Sequence, residues 1–194
     1  MSKSDPAAQK KERSKAIGWF ITVFILTIVI SAVISFVSDE IMAASTMPVA
    51  FVILFAIVLI GIVFDIIGVA VTSADEKPFH SMAARKVPGA LEAIHLLRSA
   101  EKVSSICNDV IGDICGVVSG AASATIAAQI LQNFEFSWPR MIQLIMSALV
   151  AGLTVSGKAI GKAFAINSCT QILSAVGKLI YFLGHIPALF TRKK

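Results

Sequence analysis

Long apolar runs constrain this chain more than any other feature. From Ala16 to Ser38 no side chain carries a charge, and from Pro48 to Ser73 only Asp65 does. A helix that crosses a hydrocarbon layer roughly 30 Å thick needs about 20 residues of this kind. Inside lipid, only a helix or a closed barrel satisfies its own backbone polar groups. Residues 104–131 and 140–160 form two further runs of sufficient length. The sequence therefore predicts an all-α integral membrane protein with about four spans, at 16–38, 48–73, 104–131 and 140–160, in a single transmembrane domain over 16–190. With 56% hydrophobic and only 15% charged residues among 194, little is left from which to build a soluble domain as well.

The charges that remain order these spans across the bilayer. Residues 1–15 carry Lys3, Lys10, Lys11, Arg13 and Lys15 and read as a disordered basic tail. The run that follows exceeds the apolar region of a signal peptide, so it is expected to be retained. The connection 39–47 holds Asp39 and Glu40, the connection 132–139 holds Glu135, and neither holds a base, which places both outside. Residues 74–103 are broken by Pro78, Pro88 and Gly89 and carry Lys77, Arg85, Lys86, Arg98 and Lys102. That pattern reads as a basic, interfacial helical hairpin on the inside. Residues 163–190 are apolar but punctuated by Asn167, Gln171, Ser174, Lys178 and His185, and Arg192, Lys193 and Lys194 follow. A fifth crossing would carry those bases outside, so an interfacial belt helix is expected. All of the 17 Lys and Arg except Arg140 then fit one topology, that of a multi-pass plasma-membrane protein with both termini cytoplasmic.

The net charge of +5 arises at the borders of apolar runs, where bases contact lipid head groups. Its partner is thus the lipid bilayer and not nucleic acid. Cys107, Cys115 and Cys169 are odd in number and form no CxxC, which argues against a disulfide framework or a zinc site. No nucleophile has a base at a recognisable spacing, and neither a Gly-rich phosphate loop nor HExxH occurs. An enzyme is not expected.

Ionised groups inside a span are costly and mark either function or a buried pairing. Asp65 lies in the second expected span, Asp109 and Asp113 in the third, and Lys158 and Lys162 near the end of the fourth. The topology puts all five toward the cytoplasmic side. Asp109 and Asp113, spaced i, i+4, share a helix face and repel unless a cation or protons lie between them. Asn108 adds a neutral oxygen beside them. Asp65, Asn108, Asp109 and Asp113 are therefore candidate ligands for a hard cation such as Mg²⁺, which takes oxygen donors of this kind. Alternatively, Lys158 and Lys162 neutralise the acids in an internal ion-pair network.

Gly112, Gly116 and Gly120 recur every four residues and let another helix approach closely. That helix belongs either to the same chain or to a second copy in a homodimer.

From about Phe64 to Pro187 the order of features resembles the transmembrane domain of the CorB/CorC and cyclin M family of Mg²⁺ transporters. The shared order is a span ending in small and polar residues, an inside hairpin, an Asn-containing span, then a span leading into a Gly-x-x-x-x-Lys turn and a belt helix. FDIIGVAVTS (Phe64–Ser73) is similar to the family's first core helix in Phe64, Ala70 and Ser73, with Asp65 where a serine would fall. Cys107-Asn108 resembles the family's Gly-Asn pair, and Gly157 to Lys162 resembles its Gly-Glu-x-x-Pro-Lys stretch, with Gly157 and Lys162 matching. The resemblance implies a divalent-cation (Mg²⁺ or Co²⁺) transporter fold, with Asn108 among the metal ligands. Lys158 stands where the family has its Mg²⁺-binding glutamate, and an ammonium there could replace the metal. Within these 194 residues there is no CBS domain pair of the kind that usually follows in that family, and the span 16–38 is additional. Two functions are thus expected: a divalent-cation transporter-like protein, or a non-transporting scaffold or partner subunit whose acids are closed by lysines.

Overall fold

The structure is a computed structural model that describes the backbone of residues 6–43, 45–133 and 138–191 and the side chains of 17–42, 45–133 and 138–184. Among the described residues all regular structure is helical. Helix α1 (Pro6–Ala43) is followed by α2 (Met47–Ser73), and the short helices α3 (Lys77–Ala84), α4 (Ala90–Arg98) and α5 (Ala100–Ser105) come next. A π-helical segment (Ile106–Gly112) joins α5 to α6 (Asp113–Asn133), and α7 (Pro139–Asn167) and α8 (Cys169–Thr191) complete the chain. Among the described residues, four stretches are long and apolar enough to cross a membrane: Ile17–Met42, Met47–Ser73, Ala100–Asn133 and Pro139–Asn167. The all-helical class expected from the sequence is present, and four helices have the length and apolarity expected of the four spans.

Local chemistry explains where the elements begin and end. Pro48 and Pro139 sit in the first turns of α2 and α7, where a missing N–H costs nothing. Helix α2 stops at Ala74, whose backbone is extended (φ −84, ψ 145), and Asp75 then accepts the Lys77 N–H at 3.1 Å to start α3. Lys86 (φ 56) and Gly89 (φ 85) turn the hairpin between α3 and α4.

The boundaries depart from the sequence-based expectation in three places. Helix α1 begins at Pro6, well before Ala16, and residues 1–5 of the expected tail lie outside the described residues. The third span starts at Ala100 because Ser99 (φ −114, ψ 27) separates α4 from α5 without a longer loop. Helix α7 continues to Asn167, and Ser168 then breaks it from α8, which covers most of the expected belt helix.

Helix α2 is the centre of the bundle and packs against α6, α7, α5, the π-helical segment and α8, while α1 lies along α6. One core, with Met42, Leu54, Val58, Ile126 and Val150, joins α1, α2, α6 and α7. A second, with Ile57, Val110, Ile114, Cys115 and Val118, joins α2 to the third span. A third seats the hairpin on the bundle through Val71, Phe79, Ala93, Ile94 and Leu173. Large apolar side chains face outward, among them Phe20, Phe36, Val52, Phe55, Leu144 and Leu149. Outward-facing residues of this type fit a lipid solvent, which solvates them at no cost.

The hairpin meets α8 backbone to backbone. A β-carbon on Gly177 would overlap the Gly89 carbonyl and lie 3.2 Å from the Ala93 β-carbon. Only glycine permits this crossing, which brings α4 against α8.

Candidate functional site: a charge layer within the membrane

Helix α2 presents Asp65 at the level where the π-helical segment and the later part of α7 meet it. The carboxylate is 3% exposed, and its Oδ2 is buried without a hydrogen-bond partner. Gly112, at the end of the π-helical segment, faces both Asp65 and Lys158. A β-carbon built there would lie 3.4 Å from Lys158 Nζ and 3.9 Å from Asp65 Oδ1. Lys158 Nζ donates to the Gly112 carbonyl at 3.1 Å and stands 3.6 Å from Asp113 Oδ1.

The two carboxylates near Lys158 are not equivalent. The Asp113 side chain is 73% exposed, so water screens its attraction to the ammonium. Asp65 is enclosed and close to Lys158 without direct contact. A separation of no more than about 7 Å follows from their shared neighbour Gly112, where opposite charges attract by roughly 2 kcal/mol at an effective dielectric constant of 20.

One turn from Asp65 along α2, Gly68 makes room for Asn108. A β-carbon at Gly68 would overlap the Asn108 amide, so the asparagine lies directly on the α2 backbone. Its Nδ2 donates to Ser104 Oγ at 3.2 Å, while its Oδ1 is buried without a partner. Asp65 and Asn108 thus each present an unused oxygen acceptor at the interface between α2 and the third span. Orphaned acceptors of this kind are costly when dry, and a proton or a hard cation satisfies them.

The structure therefore gathers Asp65, Asn108, Asp113 and Lys158 into one layer. It does not gather the full set of expected ligands. Asp109 and Lys162 are exposed and form no ion pair among the described residues. Among the described residues no three of His, Cys, Asp and Glu are grouped so as to hold a metal ion.

The glycine stripe divides in the same way. Gly112 is in close contact, but a β-carbon on Gly116 or Gly120 would meet nothing within 4 Å. The close approaches are made elsewhere. A β-carbon on Gly61 would lie 2.8 Å from that of Cys115, one on Gly161 would lie 2.8 Å from Ile66 Cγ1, and one on Gly157 would overlap Ile62. Gly157 and Gly161 have the same four-residue spacing as the stripe on the third span, and that spacing was a signal in the sequence. Ser104, which orients Asn108, had none.

Comparison with known protein families, characterised proteins and solved structures returns no match, so the resemblance to the CorB/CorC and cyclin M family rests on the motifs alone.

Proposed function

We propose that this chain is a multi-pass membrane protein built like a divalent-cation transporter but with its acid layer closed by Lys158, and that it serves as a non-transporting scaffold or partner subunit. The observation that supports this reading is the Lys158 ammonium, held at 3.1 Å by the Gly112 carbonyl and flanked by Asp65 and Asp113. A fixed cation at this point performs the electrostatic task of a bound divalent ion and leaves that ion less reason to enter. In the topology favoured by the basic residues, both termini and the α3–α4 hairpin are cytoplasmic and the charge layer lies toward that side.

The orphaned oxygens of Asp65 and Asn108 favour a second reading, in which the same layer takes Mg²⁺ during transport. Thermal unfolding of the purified protein separates the two. In the lysine-closed protein, millimolar Mg²⁺ leaves the melting temperature of wild type unchanged. In a transporter, Mg²⁺ at a hundred times its Kd adds about 2.7 kcal/mol of stability by binding linkage, and Asp65→Asn abolishes the gain. That second pattern refutes the proposal.

A further inference from the structure

We infer that the first turns of α7, around Arg140, seat an anionic phospholipid, with its phosphate on the guanidinium and an acyl chain along the apolar wall below. This inference does not depend on how the charge layer is closed.

Arg140 is the one Lys or Arg of 17 that stands apart from the topology the others define. A base in that place runs against the usual distribution and calls for a local reason. The chain supplies none among the described residues, where the side chain is exposed and joins no ion pair.

Helix α7 sets the depth of this base. Arg140 precedes Lys158 by 18 residues, about 27 Å at 1.5 Å per residue, nearly the roughly 30 Å of a hydrocarbon core. Arg140 therefore falls at the head-group level opposite to the charge layer. Trp138, two residues earlier, is 70% exposed, and an indole, apolar but for one N–H, suits the same boundary.

Two cavities, of about 510 and 550 Å³, share Arg140 and Leu144. The first is lined by the exposed Gln143, and Trp138, Met141 and Leu144 make the wall of the second apolar. The order of chemistry down α7 is that of a phospholipid. The base comes first, the Gln143 amide lies about 4.5 Å deeper, and Leu144 continues into hydrocarbon. A phosphate accepts two parallel N–H bonds from a guanidinium, the glycerol ester carbonyls beneath it accept from the amide, and an acyl chain covers the leucine. A free phosphate ion uses only the first of these contacts and gains little from one exposed base in water. A zwitterionic lipid carries its own cation in competition with Arg140, which favours a head group of net negative charge.

The two tryptophans of the chain make this seat observable. Trp19→Phe keeps a ring beside Lys102 and leaves Trp138 as the sole indole, which brominated acyl chains quench on contact. In vesicles, brominated phosphatidylglycerol is expected to quench Trp138 with an apparent affinity about fivefold or more above that of brominated phosphatidylcholine, the factor for one base near an anionic lipid surface. Adding Arg140→Gln should bring the two lipids to equality, while adding Lys77→Gln, in the hairpin on the other side of the bilayer, should leave the preference intact. Because the Arg140 side chain is exposed, Arg140→Gln should keep the parent's melting temperature, so a lost preference is not a lost fold. Equal quenching by the two lipids in the parent overturns the inference, as when Glu135, which lies outside the described residues, neutralises Arg140 instead. So does a preference that survives Arg140→Gln, one abolished by millimolar inorganic phosphate, or a Trp138 that neither lipid quenches because protein covers the groove.

Discussion

Replacing Lys158 with methionine removes the ammonium while keeping a long flexible side chain, and the cost can be worked out from its neighbours. The hydrogen bond to the Gly112 carbonyl at 3.1 Å is charge-assisted and contributes about 1.5–3 kcal/mol. Asp113 is nearer than Asp65, but at 73% exposure its pair contributes less than about 1 kcal/mol. Asp65 sits farther away but is enclosed and contributes roughly 2 kcal/mol. Lys158→Met should therefore destabilise by about 3.5–6 kcal/mol, at or somewhat above the cost of breaking a buried pair. The informative measurement is a double-mutant cycle in detergent, with unfolding followed against denaturant for Lys158→Met, Asp65→Asn and the double variant, and a parallel cycle for Asp113→Asn. The coupling to Asp65 should be about 2 kcal/mol and should exceed the coupling to Asp113. Coupling to Asp65 below about 0.5 kcal/mol, the scatter of independent sites, would mean that the buried acid is compensated by something other than Lys158, and the reasoning fails.

Two other outcomes follow from features outside the layer. Gly177→Ala forces a β-carbon into the Gly89 carbonyl and should cost about 1–3 kcal/mol; the hairpin should loosen from α8, so that trypsin cuts faster after Arg85 and Lys86, while an unchanged cleavage rate would show that the crossing is not what holds the hairpin. For topology, in a background without native cysteines, Ser45→Cys should react with an impermeant maleimide from outside intact cells and Lys86→Cys should not, with the opposite pattern reversing the orientation.

The four spans were legible because apolar length is itself the physical requirement for crossing a bilayer. Asp65, Asp113 and Lys158 were legible as one layer because ionised groups in a span are rare enough to implicate one another. Their ranking was not. Asp113 is a direct partner of Lys158 yet mostly exposed, whereas Asp65 is enclosed and forms no direct ion pair among the described residues, and rotation about a helix axis cannot be read from spacing alone. The glycines show the same limit. Gly116 and Gly120 look like a packing stripe but meet no neighbour in the chain, while Gly68, unremarkable in sequence, carries the asparagine of the site. Nor does any residue in Ile106–Gly112 encode a π-helix; the wider turn is a product of tertiary packing that no local propensity records.

That wider turn sets the rotational phase of the third span. In an α-helix each residue advances the azimuth by about 100°, so the extra residue accommodated between Ile106 and Gly112 offsets everything before it from everything after it. Asn108 faces Gly68 from within the segment, and Cys115 faces Gly61 beyond it. The segment is thus a point where residue count matters more than residue type. Conservative exchanges there keep both faces aimed at α2, but deletion of a single residue would turn one half of the span, with either its asparagine or its apolar core, out toward lipid.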